Sequence, residues 1–191
     1  MHWCLMISRF YISHCEHDEK MALELSSALW RVGLESYATM YNLCQGISRA
    51  ERVFFAIRNS ECLVALLTKD GSASTTVCQE IGLAKGIDLL IIPLLENGTD
   101  LPFFIEHSNP ISFSGSEFDD AIGKLIKNVR DLSRLDWLKV ICPKCGEEMT
   151  QYLTPQEDVD EAIQKGAFLE TICSYCQNKV LLDPRTFESL P

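Results

Sequence analysis

A parallel α/β sheet covered by helices on both faces is predicted by two features of the 191-residue sequence. From residue 5 to about residue 132, short apolar runs alternate with amphipathic helical patterns, as repeated β-α units require. Within that stretch Glu61–Thr68 is almost uniformly apolar, the pattern of a strand buried on both faces. A third feature, two Cys-x-x-Cys pairs near the carboxyl end, sets the remainder of the chain apart.

The elements follow in order. Leu5–Ile12 reads as the first strand. Asp18–Val32 carries Ala22, Leu25, Leu29 and Val32 at helical spacing, with Asp18 and Glu19 suited to the positive end of a helix dipole. Gly33 ends that helix and Leu34–Ala38 is a short second strand. After the polar stretch Thr39–Ser48, the segment Arg49–Asn59 places Val53, Phe54 and Ile57 on one helical face. Glu61–Thr68 is the third strand, Thr76–Lys85 a helix and Leu89–Leu95 the fourth strand. Pro93 cannot donate to a ladder, so a bulge or strand end is expected there. Ile111–Phe113 is a short fifth strand, and Phe118, Ile122, Leu125 and Val129 mark the last helix of the sheet domain. Leu132–Ile141 reads as a helix tail or linker. The domains are therefore expected at 1–132 and 133–191. Ligands of such sheets bind beyond the carboxyl ends of the strands. The candidate loops are Ser13–His17, Thr39–Ser48, Lys69–Thr75 and Glu96–Asn109, with Phe103-Phe104 read as packing.

Composition narrows the function. The formal charge is −10 and 47% of the residues are hydrophobic, enough for a sizeable core. Between Asp136 and Pro191 there are five basic and ten acidic residues, a charge of −5. Nucleic-acid binding and attraction to anionic membranes are both disfavoured, since each depends on Lys and Arg. No apolar run is long enough to span a bilayer, and the first residues lack the pattern of a signal peptide. A cytoplasmic protein with reduced thiols is expected. The phosphate-cradling patterns G-x-x-x-x-G-K-S/T and G-x-G-x-x-G are absent, as is the G-x-S-x-G elbow.

Cys142-Pro-Lys-Cys145-Gly and Cys173-Ser-Tyr-Cys176 each present two thiolates from a tight turn, and together they supply the four-sulfur set that Zn²⁺ prefers. Two such turns favour a structural Zn²⁺ over a redox dithiol. A metal also explains how a tail with a thin core folds. The knuckle at 142–146 resembles those of zinc ribbons, which implies a small carboxyl-terminal ribbon domain. Its acidic charge points to scaffolding or to a protein partner.

A resemblance covers residues 5–132. Phe10-Tyr11-Ile12-Ser13-His14 followed by Asp18 resembles the first box of TIR (Toll/interleukin-1 receptor) domains. Gly33 to Ile47, ending in Gln45-Gly46-Ile47-Ser48, resembles the family's second strand and BB loop. The strand Cys62–Thr68, then Ser72–Ser74 and Val77-Cys78-Gln79-Glu80-Ile81, resembles the third strand and the helix bearing the family's catalytic glutamate. Ile91-Ile92-Pro93-Leu94 resembles the fourth strand. The resemblance implies a flavodoxin-like five-stranded parallel sheet, homotypic assembly and, in the prokaryotic NAD-cleaving type, an NAD⁺ glycohydrolase or ADP-ribose cyclase acting in defence.

The resemblance places catalysis at Glu80, and Phe10, Ser13, His14, Tyr37, Thr39 and Thr76 around the NAD⁺ substrate. Tyr41 adds an aromatic surface in the loop. The residues alone give Glu80 a suitable setting. Val77, Ile81 and Ala84 form a buried stripe with Glu80 on its shoulder, and Thr76 with Gln79 suggests a capping box. Nicotinamide leaves NAD⁺ as a neutral molecule, so one carboxylate stabilising the ribosyl cation suffices. The plain alternative is a solvated surface Glu. Thr76 stands where enzymatic relatives commonly carry Trp, and Thr39 where many carry an acidic residue. Both departures favour the rival function, a non-catalytic signalling module that assembles through its TIR domain and docks a partner through the ribbon.

Overall fold

The computed structural model describes residues 7–38, 46–133 and 135–191. Five strands, β1 (Arg9–Ser13), β2 (Glu35–Tyr37), β3 (Cys62–Leu67), β4 (Leu90–Glu96) and β5 (Ile111–Phe113), form one parallel sheet in the order β2-β1-β3-β4-β5. Five helices accompany it: α1 (Glu19–Arg31), α2 (Arg49–Arg58), α3 (Lys69–Ala73), α4 (Thr75–Gly86) and α5 (Phe118–Leu132).

Strand periodicity divides the apolar residues between two layers. Phe10 and Ile12 of β1, with Cys62, Val64 and Leu66 of β3, face Ala22, Leu25 and Leu29 of α1 and Phe118, Ile122 and Leu125 of α5. Tyr11 of β1, with Leu63, Ala65 and Leu67 of β3, faces Ala56 and Ile57 of α2 and Val77, Ile81 and Ala84 of α4. Every residue of β3 is buried, which accounts for its unbroken apolar run.

Several local expectations are corrected. Phe54, expected on the buried face of α2, is 44% exposed, and Ala56 and Ile57 carry the packing instead. Lys69–Ala73 is not a loop but the short helix α3, whose cap Thr68 accepts from the Gly71 N–H at 2.9 Å. Pro93 lies inside β4, in register with Ala65 of β3 and one residue before pairing with β5 begins at Leu94. Phe103 and Phe104 are exposed rather than packed into the core.

The stretch expected to be a linker holds a strand, β6 (Trp137–Ile141), which pairs antiparallel with β7 (Glu148–Tyr152). Helix α6 (Gln156–Lys165) leads to a second hairpin, β8 (Leu169–Ile172) with β9 (Lys179–Leu182). Leu138, Val140, Met149, Val159 and Phe187 of this tail belong to the same core cluster as Leu25 and Ile122. At its edge Lys139 lies 4.7 Å over the Trp30 ring, Lys127 meets Asp160 at 2.7 Å, and Arg130 donates to the Thr154 carbonyl at 2.8 Å.

Candidate active site and metal centre

Ser13 ends β1, beside β3, where the strand order turns back on itself. Crevices at such switch points are where open α/β sheets bind ligands. Helix α4, which follows β3, packs over this point. Its cap is Ser74, whose side chain accepts from the Val77 N–H at 3.4 Å, so the expected Thr76–Gln79 box does not start the helix. The helix begins at Thr75, which puts Thr76 on the exposed first turn and Glu80 one turn later, over the sheet.

Glu80 is buried, at 7% exposure, and both its oxygens are held. The Tyr11 hydroxyl donates to Oε1 at 3.0 Å and the Ser13 hydroxyl to Oε2 at 2.5 Å. Burial raises the Glu80 carboxyl above its ordinary range, opposed by these two donors and by the nearby charges of His14 and Arg49. A carboxylate so held keeps acceptor capacity for a ligand's hydroxyl groups, since its two oxygens offer about four lone-pair sites. The group is desolvated, oriented and set among hydrogen-bond donors, as sites built for charge stabilisation are.

The residues singled out from sequence divide around this centre. Ser13 touches Glu80 directly. His14 follows it, with Nδ1 3.0 Å from the Ile12 carbonyl oxygen. Tyr37 is in register with Tyr11 and packs beside the same apolar layer. Phe10 does not join them. Adjacent strand residues face opposite ways, and Phe10 is fully buried in the layer beneath α1 and α5. Thr39 and Tyr41 lie outside the described residues. Tyr11 is the contact that the sequence reading passes over. Counting two residues back from Ser13 along β1 would have found it.

A second polar cluster braces the same rim. The Asp18 carboxylate, buried, accepts from the Thr68 hydroxyl at 2.7 Å and from the Cys15 thiol at 3.0 Å. A methyl placed on Gly71 would lie 2.5 Å from the Leu66 carbonyl oxygen, so only glycine lets α3 sit this close to the end of β3. Asp18 thereby ties the segment after β1 to the segment leading into α4.

In the tail, Cys142, Cys145, Cys173 and Cys176 bring their sulfurs within 4.8 Å of one another. Cys142 and Cys176 are 3.7 Å apart, as are Cys145 and Cys173. A tetrahedral site with Zn–S bonds of about 2.3 Å has an S···S edge of about 3.8 Å, so the four sulfurs fit a metal such as zinc. Asn178 Nδ2 donates to the Cys176 sulfur at 3.2 Å, and with the Asn178 backbone N–H it draws that thiol down to about 6. Hydrogen bonds of this kind orient the ligands of a metal site.

Set beside known proteins, the sequence matches the family described as TIR domain over residues 10–126. The fold is similar to the crystal structure of the TIR domain of the Toll-related receptor TRR-2 from Hydra magnipapillata. The TM-score is 0.53 at 20% identity, over 63% of this chain and 97% of that one, a likeness of fold. No curated protein matches the chain closely.

Proposed function

The chain belongs to the TIR domain family, and from that membership we propose that it is an NAD⁺ glycohydrolase or ADP-ribose cyclase with Glu80 as its catalytic residue. The observation that carries the reading is the buried Glu80 carboxylate, held by Tyr11 and Ser13 at the switch point of the sheet. The bond between nicotinamide and ribose breaks with its electron pair leaving on the neutral nicotinamide. The ribose carbon becomes cationic, and a fixed carboxylate beside it stabilises that charge most in a site shielded from water. Tyr11 and Ser13 keep the carboxylate from turning away. Attack by water gives ADP-ribose, and attack by a group of the substrate gives a cyclic product. His14, Tyr37 and Thr76 are the candidate contacts to substrate, with Thr39 outside the described residues.

In this reading residues 1–132 carry the chemistry and residues 133–191 form the tail, its cysteines holding one structural zinc ion. TIR domains typically assemble homotypically, and Ile47, Phe54 and Phe55, exposed on and near α2, offer apolar surface for it. Those residues also support the second reading, a signalling module that assembles without catalysis. Among the described residues no helix is long and apolar enough to cross a membrane.

The deciding experiment follows NAD⁺ in concentrated full-length protein beside Glu80→Ala, with products separated by chromatography and weighed by mass spectrometry. Consumption in the wild type, reduced at least a hundred-fold in the variant, is the expected result. NAD⁺ left intact by a folded, assembled, zinc-loaded wild type selects the signalling module.

A further inference from the structure

Three turns of the tail share one backbone. They are Cys142-Pro-Lys-Cys-Gly-Glu147 after β6, Cys173-Ser-Tyr-Cys-Gln-Asn178 after β8, and Asp183-Pro-Arg-Thr-Phe-Glu188 after β9. In each the first residue's N–H donates to the sixth residue's carbonyl, at 3.0, 2.8 and 2.9 Å in turn. The fifth residue's N–H donates back to the first residue's carbonyl, at 2.9, 3.0 and 2.8 Å. The fifth residue is left-handed every time: Gly146 at φ +75°, Gln177 at +58° and Phe187 at +56°.

The correspondence extends to the side chains. The Arg185 N–H donates to the Asp183 carboxylate at 2.8 Å. The Glu188 N–H donates to the Thr186 hydroxyl oxygen at 3.4 Å. Asp183 and Thr186 thus stand where the first two turns place their cysteines. The positive charge opposite Asp183 comes from the chain itself, with Arg185 Nε 3.1 Å from Oδ1 and Nη2 2.8 Å from Oδ2.

That guanidinium reaches onward. Its Nη1 lies 3.0 Å from the Asp120 carboxylate and its Nη2 3.6 Å from that of Asp119, both in the first turn of α5. Gly123 makes room, since a methyl added there would sit 3.2 Å from Arg185 Cβ and 3.4 Å from its Cα. From α1, Arg31 donates to the Thr186 carbonyl at 3.3 Å and pairs with Glu188 at 3.3 Å. Phe187 occupies the position that glycine fills in the first turn. A left-handed backbone is strained for an aromatic residue, and here the side chain is buried at 2% exposure in the core that holds Ile126 and Val159.

We infer that residues 183–188 are a third, metal-free knuckle that docks the cysteine tail onto α1 and α5, with the Arg185 guanidinium in the role of the cation. The tail is therefore a fixed part of the TIR face formed by these helices. Part of that face is thereby covered by the chain itself.

Two variants of the full chain test this. Gly123→Ala normally strengthens a helix interior, but the added methyl would sit 3.2 Å from Arg185 Cβ, so the docked turn must shift by a few tenths of an ångström. The expected result is a lower thermal midpoint than wild type, with amide exchange over residues 183–190 at least ten-fold faster. Arg185→Ala is expected to speed exchange in the same segment and in residues 118–123, while bound zinc, released and titrated with a chromogenic chelator, stays at the wild-type level. Unchanged exchange in both segments of Arg185→Ala overturns the docking. Loss of zinc with Arg185→Ala shows that the turn belongs to the metal fold and overturns its separate role.

Discussion

A carboxyl group at 7% exposure ionises reluctantly, and in Glu80 two hydroxyl donors oppose the cost of burial without cancelling it. Activity and stability should then respond to pH with opposite signs. The native state holds the Glu80 proton more tightly than the unfolded chain, so this residue's contribution to stability is full below the ordinary carboxylate range. It is lost as pH rises through the raised native value. Glu80→Gln is accordingly expected to melt at a higher temperature than wild type at neutral pH, and the gap should close on acidification. The proposed NAD⁺ cleavage would need the ionised form, so its rate should fall on the acid side of the same native value. Parallel melting and rate profiles check both. Tyr11→Phe removes the donor to Oε1, a hydrogen bond to a charged group with a typical worth of about 1.5–3 kcal/mol. The acid limb should move to higher pH and the rate should drop at least ten-fold. An unmoved limb would mean that Tyr11 only packs. The place of Glu80 beside a buried stripe is legible in the sequence because Val77, Ile81 and Ala84 repeat at helical spacing, whereas its assignment to catalysis rests on the family resemblance. Tyr11 is not legible, because an aromatic residue in an apolar strand looks like core until the strand's facing is known.

Helix α4 carries Glu80 to the sheet, and its start depends on Ser74. Ser74→Ala should cost about 1 kcal/mol in chemical denaturation, the usual effect of losing a cap. Thr76→Ala, on the exposed first turn, should change stability by no more than about 0.5 kcal/mol. The reverse order would restore the Thr76–Gln79 box. The helix itself is evident from Val77, Ile81 and Ala84, but three consecutive hydroxyl residues, Ser74, Thr75 and Thr76, offer rival caps that spacing cannot rank. β6 is hidden for a related reason. Its alternation is short, all five residues pair with β7, and the buried Leu138 and Val140 pack against a core that only the folded chain supplies. The third knuckle leaves still less trace in the sequence. Its identity lies in backbone hydrogen bonds and a left-handed Phe187, whereas the cysteines that announce the other two are replaced by Asp183 and Thr186.

The two parts of the chain share one core, so metal loss in the tail should be felt in the sheet. Leu138, Val140, Met149, Val159 and Phe187 cluster with apolar residues of α1 and α5, and the four cysteines close the hairpins that hold most of them. A metal bound only by the folded state stabilises it by about 2.7 kcal/mol when its free concentration is a hundred times its dissociation constant. Removing it with a chelator should lower the melting temperature of the full-length protein. Because the apolar surfaces are continuous, calorimetry should show one transition that moves down intact. Two separated transitions, with the upper at its original temperature, would mean that the tail melts alone and that the shared core transmits little. Zinc added back should restore the midpoint, whereas a reductant without zinc should not, which separates a metal site from a disulfide. The same measurement on Arg185→Ala divides the coupling between its two routes. If the docked third knuckle carries it, chelation splits the transition in the variant while leaving it single in the wild type. If the apolar core carries it, both proteins keep one transition.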